Sequence, residues 1–233
     1  MRLVGSAFKA EFRNAQRLKR DRLNTFYALE DHARGKIGND VFIIFEGKKW
    51  TYKQVYDIAL QYGTWFKTVH NVKPKEIVAL DGMNSEKFVF VWMGLWSIGA
   101  KPALINYNLS GKALAHCIRA STARLIIIDP EIQHNVTQEV RDELNSVEFQ
   151  VLTPDVEAVV MSTPGVREPD HVRSEDSPAN IATLIYTSGT TGLPKPAIVS
   201  WRKINIGANH VASFSSYHRP DIFYTVCTLP PWV

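Results

Sequence analysis

The sequence has only two cysteines and no long apolar run, and both shortages limit what the chain can be. Cys117 and Cys227 form no Cys-x-x-Cys pair and lie far from any histidine-rich cluster. A disulfide scaffold is therefore excluded, and free buried thiols are expected. The longest apolar stretch, residues 88–100, is 13 residues long and contains two glycines. A membrane-spanning helix needs about 18, so this stretch predicts a buried core helix instead.

Charge of one sign is also scarce. Lys and Arg number 27 against 23 Asp and Glu, a formal net charge of +4, and so small a surplus does not indicate nucleic-acid binding. The surplus lies at the start, where residues 1–22 hold seven basic and two acidic side chains. This segment predicts either an amphipathic helix on an anionic membrane surface or the solvated basic face of an ordinary helix. It lacks the sustained apolar stretch of a signal peptide, which favours a cytosol-facing chain.

Short apolar segments alternate with helical patterns from residue 77 onwards. Strands are predicted at residues 77–80, 103–105, 125–128 and 147–152, and helices at residues 85–98, 110–120 and 131–145. This order predicts an α/β fold with a mostly parallel sheet flanked by helices. Ligands of such sheets bind beyond the carboxyl ends of the strands.

The segments on either side of this alternation are less regular. Residues 41–50 predict a β-hairpin, and residues 51–54 predict a capping box that begins a helix reaching to about residue 69. Residues 153–180 are rich in Pro, Asp, Glu and Ser and predict a connecting loop. Residues 181–186 predict a further strand, which leads into the stretch that carries chemistry.

That stretch reads Tyr-Thr-Ser-Gly-Thr-Thr-Gly-Leu-Pro-Lys at residues 186–195. Glycines allow positive φ and close approach to an anion. Successive backbone N–H groups can converge on phosphate oxygens, and the lysine adds a point cation. The spacing matches neither a Walker A loop nor the dinucleotide pattern Gly-x-Gly-x-x-Gly. A turn that binds nothing is the disfavoured alternative. The predicted phosphate-binding residues are Tyr186, Thr187, Ser188, Gly189, Thr190, Thr191, Gly192 and Lys195.

This string resembles the phosphate-loop signature of the adenylate-forming (AMP-binding) superfamily. Residues 99–109, Gly-Ala-Lys-Pro-Ala-Leu-Ile-Asn-Tyr-Asn-Leu, resemble the fatty-acid transport protein and very-long-chain acyl-CoA synthetase branch. So do His116-Cys117-Ile118 and residues 194–199. The resemblance covers about residues 41–228 and implies the first part of the large N-terminal domain of such an enzyme.

The resemblance implies a function as well as a fold. A fatty-acid CoA ligase of this type activates a long or very long chain acid through an acyl-adenylate, with ATP, Mg²⁺ and coenzyme A as substrates or cofactors. Peripheral association with the cytosolic face of a membrane is implied, without specifying endoplasmic reticulum, peroxisome or plasma membrane. No nucleic-acid partner is expected. Trp92 and Trp96 are expected in the core, and lipid contact is the alternative that the family's membrane association suggests.

The family's later motifs, for adenine, ribose, Mg²⁺ and the C-terminal lysine, do not occur in these 233 residues. Because these motifs are missing, residues 37–233 are expected to form a truncated AMP-binding domain. Residues 1–36, which contain the basic surplus, are expected to form a basic, membrane-surface segment. A catalytically inactive, membrane-associated nucleotide- or lipid-binding fragment is the alternative function. No catalytic residue and no metal ligand is predicted.

The histidines have no spacing that indicates a site. His116 and Cys117 are adjacent on one predicted helix and so point to different faces, which favours packing over a metal pair. His210 and His218 lack ligand spacing to a third partner and are expected to be structural.

Overall fold

A computed structural model describes residues 2–187, 192–214, 221, 222 and 224. Most predicted elements are present within these ranges. The α-helices are α1 (Arg2–Lys19), α2 (Phe26–Arg34), α3 (Tyr52–Thr68), α4 (Glu86–Ser97), α5 (Gly111–Ser121), α6 (Gln138–Glu143), α7 (Pro154–Ser162) and α8 (Trp201–Phe214). The strands are β1 (Val41–Phe45), β2 (Lys48–Thr51), β3 (Ile77–Asp81), β4 (Lys101–Ile105), β5 (Leu125–Ile128), β6 (Glu148–Val151), β7 (Ile181–Thr187) and β8 (Lys195–Ser200).

The main sheet is mostly parallel, as predicted. In the described chain its strand order is β6-β5-β3-β4-β7-β8, and β8 alone runs antiparallel. β4 pairs with β3 on one side and with β7 on the other. The carboxyl ends of β3, β4, β5 and β7 therefore share one edge of the sheet, and the chain leaves β7 at that edge.

β5 explains why the sheet carries helices on both faces. Its four residues are all buried, and alternate side chains point to opposite faces of a strand. Leu125 and Ile127 join the apolar layer formed with α3 and α4. Ile126 and Ile128 join the second layer, formed with α5. A strand apolar on both faces can fold only between two covering layers, which confirms the α/β prediction.

The first helix of the core layer begins where the capping box predicted. The Thr51 side chain accepts a hydrogen bond from the Gln54 backbone N–H at 3.2 Å. The Gln54 side chain accepts one from the Thr51 backbone N–H at 2.8 Å. β1 and β2 form the predicted antiparallel hairpin just before this helix.

α4 is the predicted buried helix. The Ser85 side chain caps it by accepting from the Phe88 backbone N–H at 3.1 Å. A Cβ on Gly94 would lie 2.6 Å from the Tyr62 Cβ, so the glycine lets α4 approach α3 closely. Trp96 is buried, and its Nε1–H donates to the Ala182 carbonyl of β7 at 2.9 Å, which confirms core packing.

The predictions of one helix at residues 131–145 and of a loop at residues 153–180 were wrong. Residues 131–145 do not form one helix, because a 3₁₀-helix (Pro130–Asn135) ends before α6 begins. The Thr137 side chain caps the new helix. Residues 153–180 are not simply a loop, since they contain α7 and a second 3₁₀-helix (Asp170–Arg173).

Buried charges hold the second of these segments against the core. Arg173 is 1% exposed and donates to the Ser97 carbonyl at 2.5 Å and the Glu168 carbonyl at 3.0 Å. Arg167 donates to the buried Glu30 of α2 through two nitrogens, at 2.6 and 3.0 Å. Ser97 and Glu30 are distant in sequence from the arginines that contact them, so no local pattern predicts these two contacts.

The basic N-terminal segment forms α1, which packs on α8. Arg13 donates to the Asn209 amide oxygen at 2.5 Å, and Arg17 donates to the Asn205 amide oxygen. Arg202 of α8 pairs with Glu11 at 2.5 Å. In the ranges that the structure describes, no helix has both the length and the apolar character needed to cross a membrane.

Candidate phosphate-loop site

The loop that carries the predicted site lies at the carboxyl edge of the parallel sheet. β7 and β8 pair up to the Thr187–Lys195 position, so these two residues form the base from which the loop extends. Ser188, Gly189, Thr190 and Thr191 lie outside the described residues. The structure thus places the two arms of the loop at the edge where doubly wound sheets bind their ligands.

Tyr186 anchors the first arm to α5. Its hydroxyl donates to the Cys117 carbonyl of α5 at 2.7 Å. Burial raises the pKa of this phenol well above its ordinary value, so the group stays a neutral donor. The Tyr186 hydroxyl is therefore turned toward the helix rather than toward the loop mouth. Thr187, the next residue, is half-buried and ends the strand.

The second arm is exposed and carries the cation. Gly192 has a φ of +85°, in the left-handed region that glycine adopts without steric penalty. Lys195 is exposed, and its ammonium has no hydrogen-bond or ion-pair partner among the residues that the structure describes. An unpaired lysine at the loop base is available to a phosphate tail.

His116 makes a contact with the second arm that the sequence did not predict. Its Nε2 lies 3.0 Å from the Pro194 carbonyl oxygen in the second arm. A carbonyl oxygen only accepts, so Nε2 carries the proton and donates. His116 thus joins α5 to the second arm, while the backbone carbonyl of its neighbour Cys117 accepts the hydrogen bond from Tyr186 in the first arm. The adjacency of His116 and Cys117 was visible in the sequence, but nothing indicated which strands they would contact.

Burial raises the pKa values of both Cys117 and the neighbouring Asp81. Burial raises the pKa of the Cys117 thiol to about 11, and Asp81 adds to the effect. A thiol with so high a pKa stays protonated and is a poor nucleophile. Asp81 ends β3 fully buried, and burial with help from Asp129 raises its pKa to about 7. Cys117 is free and buried, as predicted.

A separate cavity of about 390 Å³ opens near the carboxyl ends of β3 and β5. Its lining contains five acidic and two basic side chains and none of the predicted loop residues. A lining with excess negative charge disfavours phosphate. This cavity is therefore less suited than the loop to bind a phosphate tail. Its charged lining residues are Glu46, Lys48, Glu86, Lys87, Asp129, Glu131 and Glu157.

Several predictions fall on residues without a described structure. Cys227 and His218 lie outside the described residues, and His210 has a described backbone position only. Within the described ranges no three His, Cys, Asp or Glu side chains come together as a metal site. Those residues therefore do not fit a resident metal ion.

The fold and the position of the loop define an α/β protein whose glycine- and threonine-rich loop lies at the carboxyl edge of a parallel sheet. Residues 29–233 match the AMP-binding enzyme family. The chain belongs to this family, as the motif at residues 186–195 predicted.

Comparison with curated relatives indicates which branch of the family the chain resembles. The chain is similar to the very long-chain fatty acid transport protein of Saccharomyces cerevisiae, with 36% identity over 171 residues, 70% of this chain and 26% of that protein. It is 32% identical to the protein of the same name from Cochliobolus heterostrophus over 198 residues, 85% of this chain and 30% of that protein. These matches confirm the resemblance to the fatty-acid transport protein branch. The chain spans between a quarter and a third of the length of these relatives.

Solved structures agree on the fold. The chain is similar to the anthranilate CoA ligase AuaEII, solved in complex with anthranoyl-AMP, with a TM-score of 0.66 and 24% identity. The match covers 77% of this chain and 34% of that one. The fold is therefore that of an adenylate-forming enzyme, as predicted.

Proposed function

We propose that this chain supplies the phosphate-binding loop of a fatty-acid CoA ligase that activates a long or very long chain acid. The observation that carries the proposal is the pair of loop arms at the carboxyl edge of the sheet. One arm is fixed to α5 by Tyr186, and the other presents the unpaired Lys195. Membership of the AMP-binding family and the names of the curated relatives support the same function.

The reaction has two steps. The fatty-acid carboxylate attacks the α-phosphate of ATP, which forms the acyl-adenylate and releases pyrophosphate. The thiol of coenzyme A then attacks the acyl carbon, its proton is lost, and AMP leaves. In the first step, negative charge grows on the departing pyrophosphate. Lys195, the loop hydroxyls and the loop amides hold the β- and γ-phosphates and stabilise that charge.

The protein's contribution in this proposal is positioning and electrostatics. A loop held at both arms loses less freedom when it closes on the phosphates, so more of its interaction energy stabilises the transition state. Mg²⁺ bound to the ATP phosphates would offset part of the same negative charge.

Association with the cytosolic face of a membrane is part of the proposal. α1 carries the basic surplus and rests one face on α8 through Arg13 and Arg17. Lys19 and Arg20, at its end, are exposed and available to an anionic surface.

Lys195→Gln tests the loop directly in the 233-residue chain. Calorimetry with Mg·pyrophosphate and Mg·ATP is expected to show binding to the wild type and binding at least tenfold weaker to the variant, because one charge-assisted contact is worth about 1.5–3 kcal/mol. Lys49→Gln is the matched control, since Lys49 is exposed on β2 and has no side-chain partner in the described ranges. It is expected to bind like the wild type.

Release of pyrophosphate from ATP then separates the two functions. Release that depends on added fatty acid supports the ligase. Binding that depends on Lys195, without any release, supports the non-catalytic nucleotide-binding alternative. If Lys195→Gln and Lys49→Gln bind equally, or if nothing binds, the loop does not have the role proposed here.

A further inference from the structure

A second concave site lies between the carboxyl half of α1 and the start of α2. Its volume is about 210 Å³, below the roughly 300–1,000 Å³ of pockets for drug-sized ligands. It shares no residue with the phosphate loop. The lining consists of Arg13, Gln16, Arg17, Arg20, Arg22, Asn24, Tyr27, Ala28 and Asp31.

Three of the four arginines in this cleft form no ion pair among the described residues. Arg13 and Arg17 donate to the amide oxygens of Asn209 and Asn205, which are neutral. Arg20 makes no side-chain hydrogen bond or ion pair within the described ranges. Arg13 and Arg20 therefore have no carboxylate partner in the described ranges, and Asp31 offsets the charge of Arg17 only in part.

The single carboxylate of the lining, Asp31, lies close to two of the arginines, Arg22 and Arg17. Arg22 pairs with Asp31 at 2.5 Å, and its guanidinium stacks over the Tyr27 ring at 4.2 Å. Asp31 is the only carboxylate in the lining. A lining of four arginines and one aspartate thus carries a clear positive surplus.

The positive charges of neighbouring arginines in this cleft also repel one another. Burial lowers the pKa of Arg17, and the neighbouring Arg13 lowers it further. Like charges held close together are stabilised when an anion enters between them. The cleft thus gains from a ligand that carries concentrated negative charge.

We propose that this cleft binds a single phosphate group. Guanidinium groups offer paired N–H donors that match phosphate oxygens, and a doubly charged phosphate matches the positive surplus of four arginines and one aspartate better than a carboxylate does. The small volume fits one such group rather than a nucleotide. The phosphate can belong to a lipid headgroup or be free in solution. The site is separate from the proposed ligase chemistry and does not depend on it.

The test compares Arg20→Gln with Lys19→Gln in the full 233-residue chain. Both changes remove one positive charge from neighbouring exposed residues, but only Arg20 lines the cleft. Neither side chain has a hydrogen-bonding partner in the described ranges, so both variants are expected to fold. One probe is phosphatidylcholine vesicles with phosphatidic acid, against vesicles with phosphatidylserine at equal surface charge. The other probe is inorganic phosphate.

We expect the affinity for inorganic phosphate, and the preference for phosphatidic acid over phosphatidylserine, to fall about tenfold in Arg20→Gln, as loss of a charge-assisted contact implies, and no more than about twofold in Lys19→Gln. General attraction of Lys19 to an anionic surface is the same for the two vesicles at equal surface charge, so it does not affect this preference. Asp31→Asn is expected to tighten binding severalfold, because it releases Arg22 from its carboxylate. Preference for phosphatidic acid identifies a lipid headgroup as the source. Equal dependence on Arg20 with inorganic phosphate identifies a free anion. If Lys19→Gln lowers the phosphate affinity and the preference for phosphatidic acid as much as Arg20→Gln does, or if neither probe binds, the cleft is not a phosphate site.

Discussion

Asp81→Asn should make this protein more stable at alkaline pH and leave it unchanged at acid pH. Asp81 is fully buried at the end of β3, and neither carboxyl oxygen has a hydrogen-bond partner in the described structure. Burial is the main reason that its pKa rises from 3.8 to about 7, and the charge on Asp129 adds to it. The charged form is therefore disfavoured in the folded chain.

The direction of the pH effect follows from proton binding. Between the unfolded pKa and the folded pKa, the folded chain holds a proton that the unfolded chain has lost. The free energy of unfolding therefore falls as pH rises through this window and levels off above about pH 7. Each pKa unit corresponds to about 1.4 kcal/mol, so a shift of roughly three units gives up to about 4 kcal/mol.

Urea denaturation at several pH values between about 3 and 8 measures the effect. At about pH 3, below the unfolded pKa of 3.8, Asp81 is protonated in both the folded and the unfolded chain, so the two proteins should have nearly equal stability. At the alkaline end the variant should be more stable by up to about 4 kcal/mol. Asp57→Asn is the control, because the exposed Asp57 pairs only with Lys53 and should show a flat difference near zero. A difference for Asp81→Asn that stays below about 1 kcal/mol at every pH would refute the reasoning.

Two further substitutions test the packing. Gly94→Ala places a Cβ 2.6 Å from a side-chain carbon of α3 and should destabilise the fold by about 1–3 kcal/mol, whereas Gly207→Ala meets no described atom within 4 Å and should be neutral or stabilising. Arg173→Met removes the donors from two backbone carbonyls and should lower the free energy of unfolding by about 3 kcal/mol or more. Urea denaturation measures both, and a loss below about 1 kcal/mol for either substitution would contradict the packing described.

The parts of the fold that sequence reasoning predicted are those with local causes. β5 is apolar at four successive positions, which is possible only between two covered faces. Thr51 and Gln54 cap α3 through contacts within one turn. Ser85 does the same for α4. Each of these signals lies within a few residues of the structure that it produces.

Each of the two wrong predictions overlooked a local signal for the start of a helix. α7 begins with Thr153 at the N-cap and Pro154 at the first helical position, followed by acidic residues in the first turn. This order is a recognised helix start. The overall richness of residues 153–180 in loop-forming residues outweighed it. Thr137, which caps α6 inside the predicted helix at 131–145, is a second such signal.

The second 3₁₀-helix had no local signal at all. Its Arg173 is buried against Ser97 of α4 and between rings of α2. An arginine in a polar segment ordinarily predicts exposure. Its burial is favourable because the carbonyls of Ser97 and Glu168 and the carboxylate of Asp170 accept from its terminal nitrogens.

The phosphate loop combines features that its own residues predict with contacts that they do not predict. Its glycines, hydroxyls and lysine predict what the loop binds, because those properties belong to the residues themselves. What holds the loop in place belongs to another element, since Cys117 accepts from Tyr186 and His116 donates to the carbonyl of Pro194. Both contacts join residues about 70–80 positions apart, a separation that no motif spans. A binding motif in one chain thus predicts chemistry, whereas the stiffness that makes the chemistry effective depends on a helix that the motif does not include.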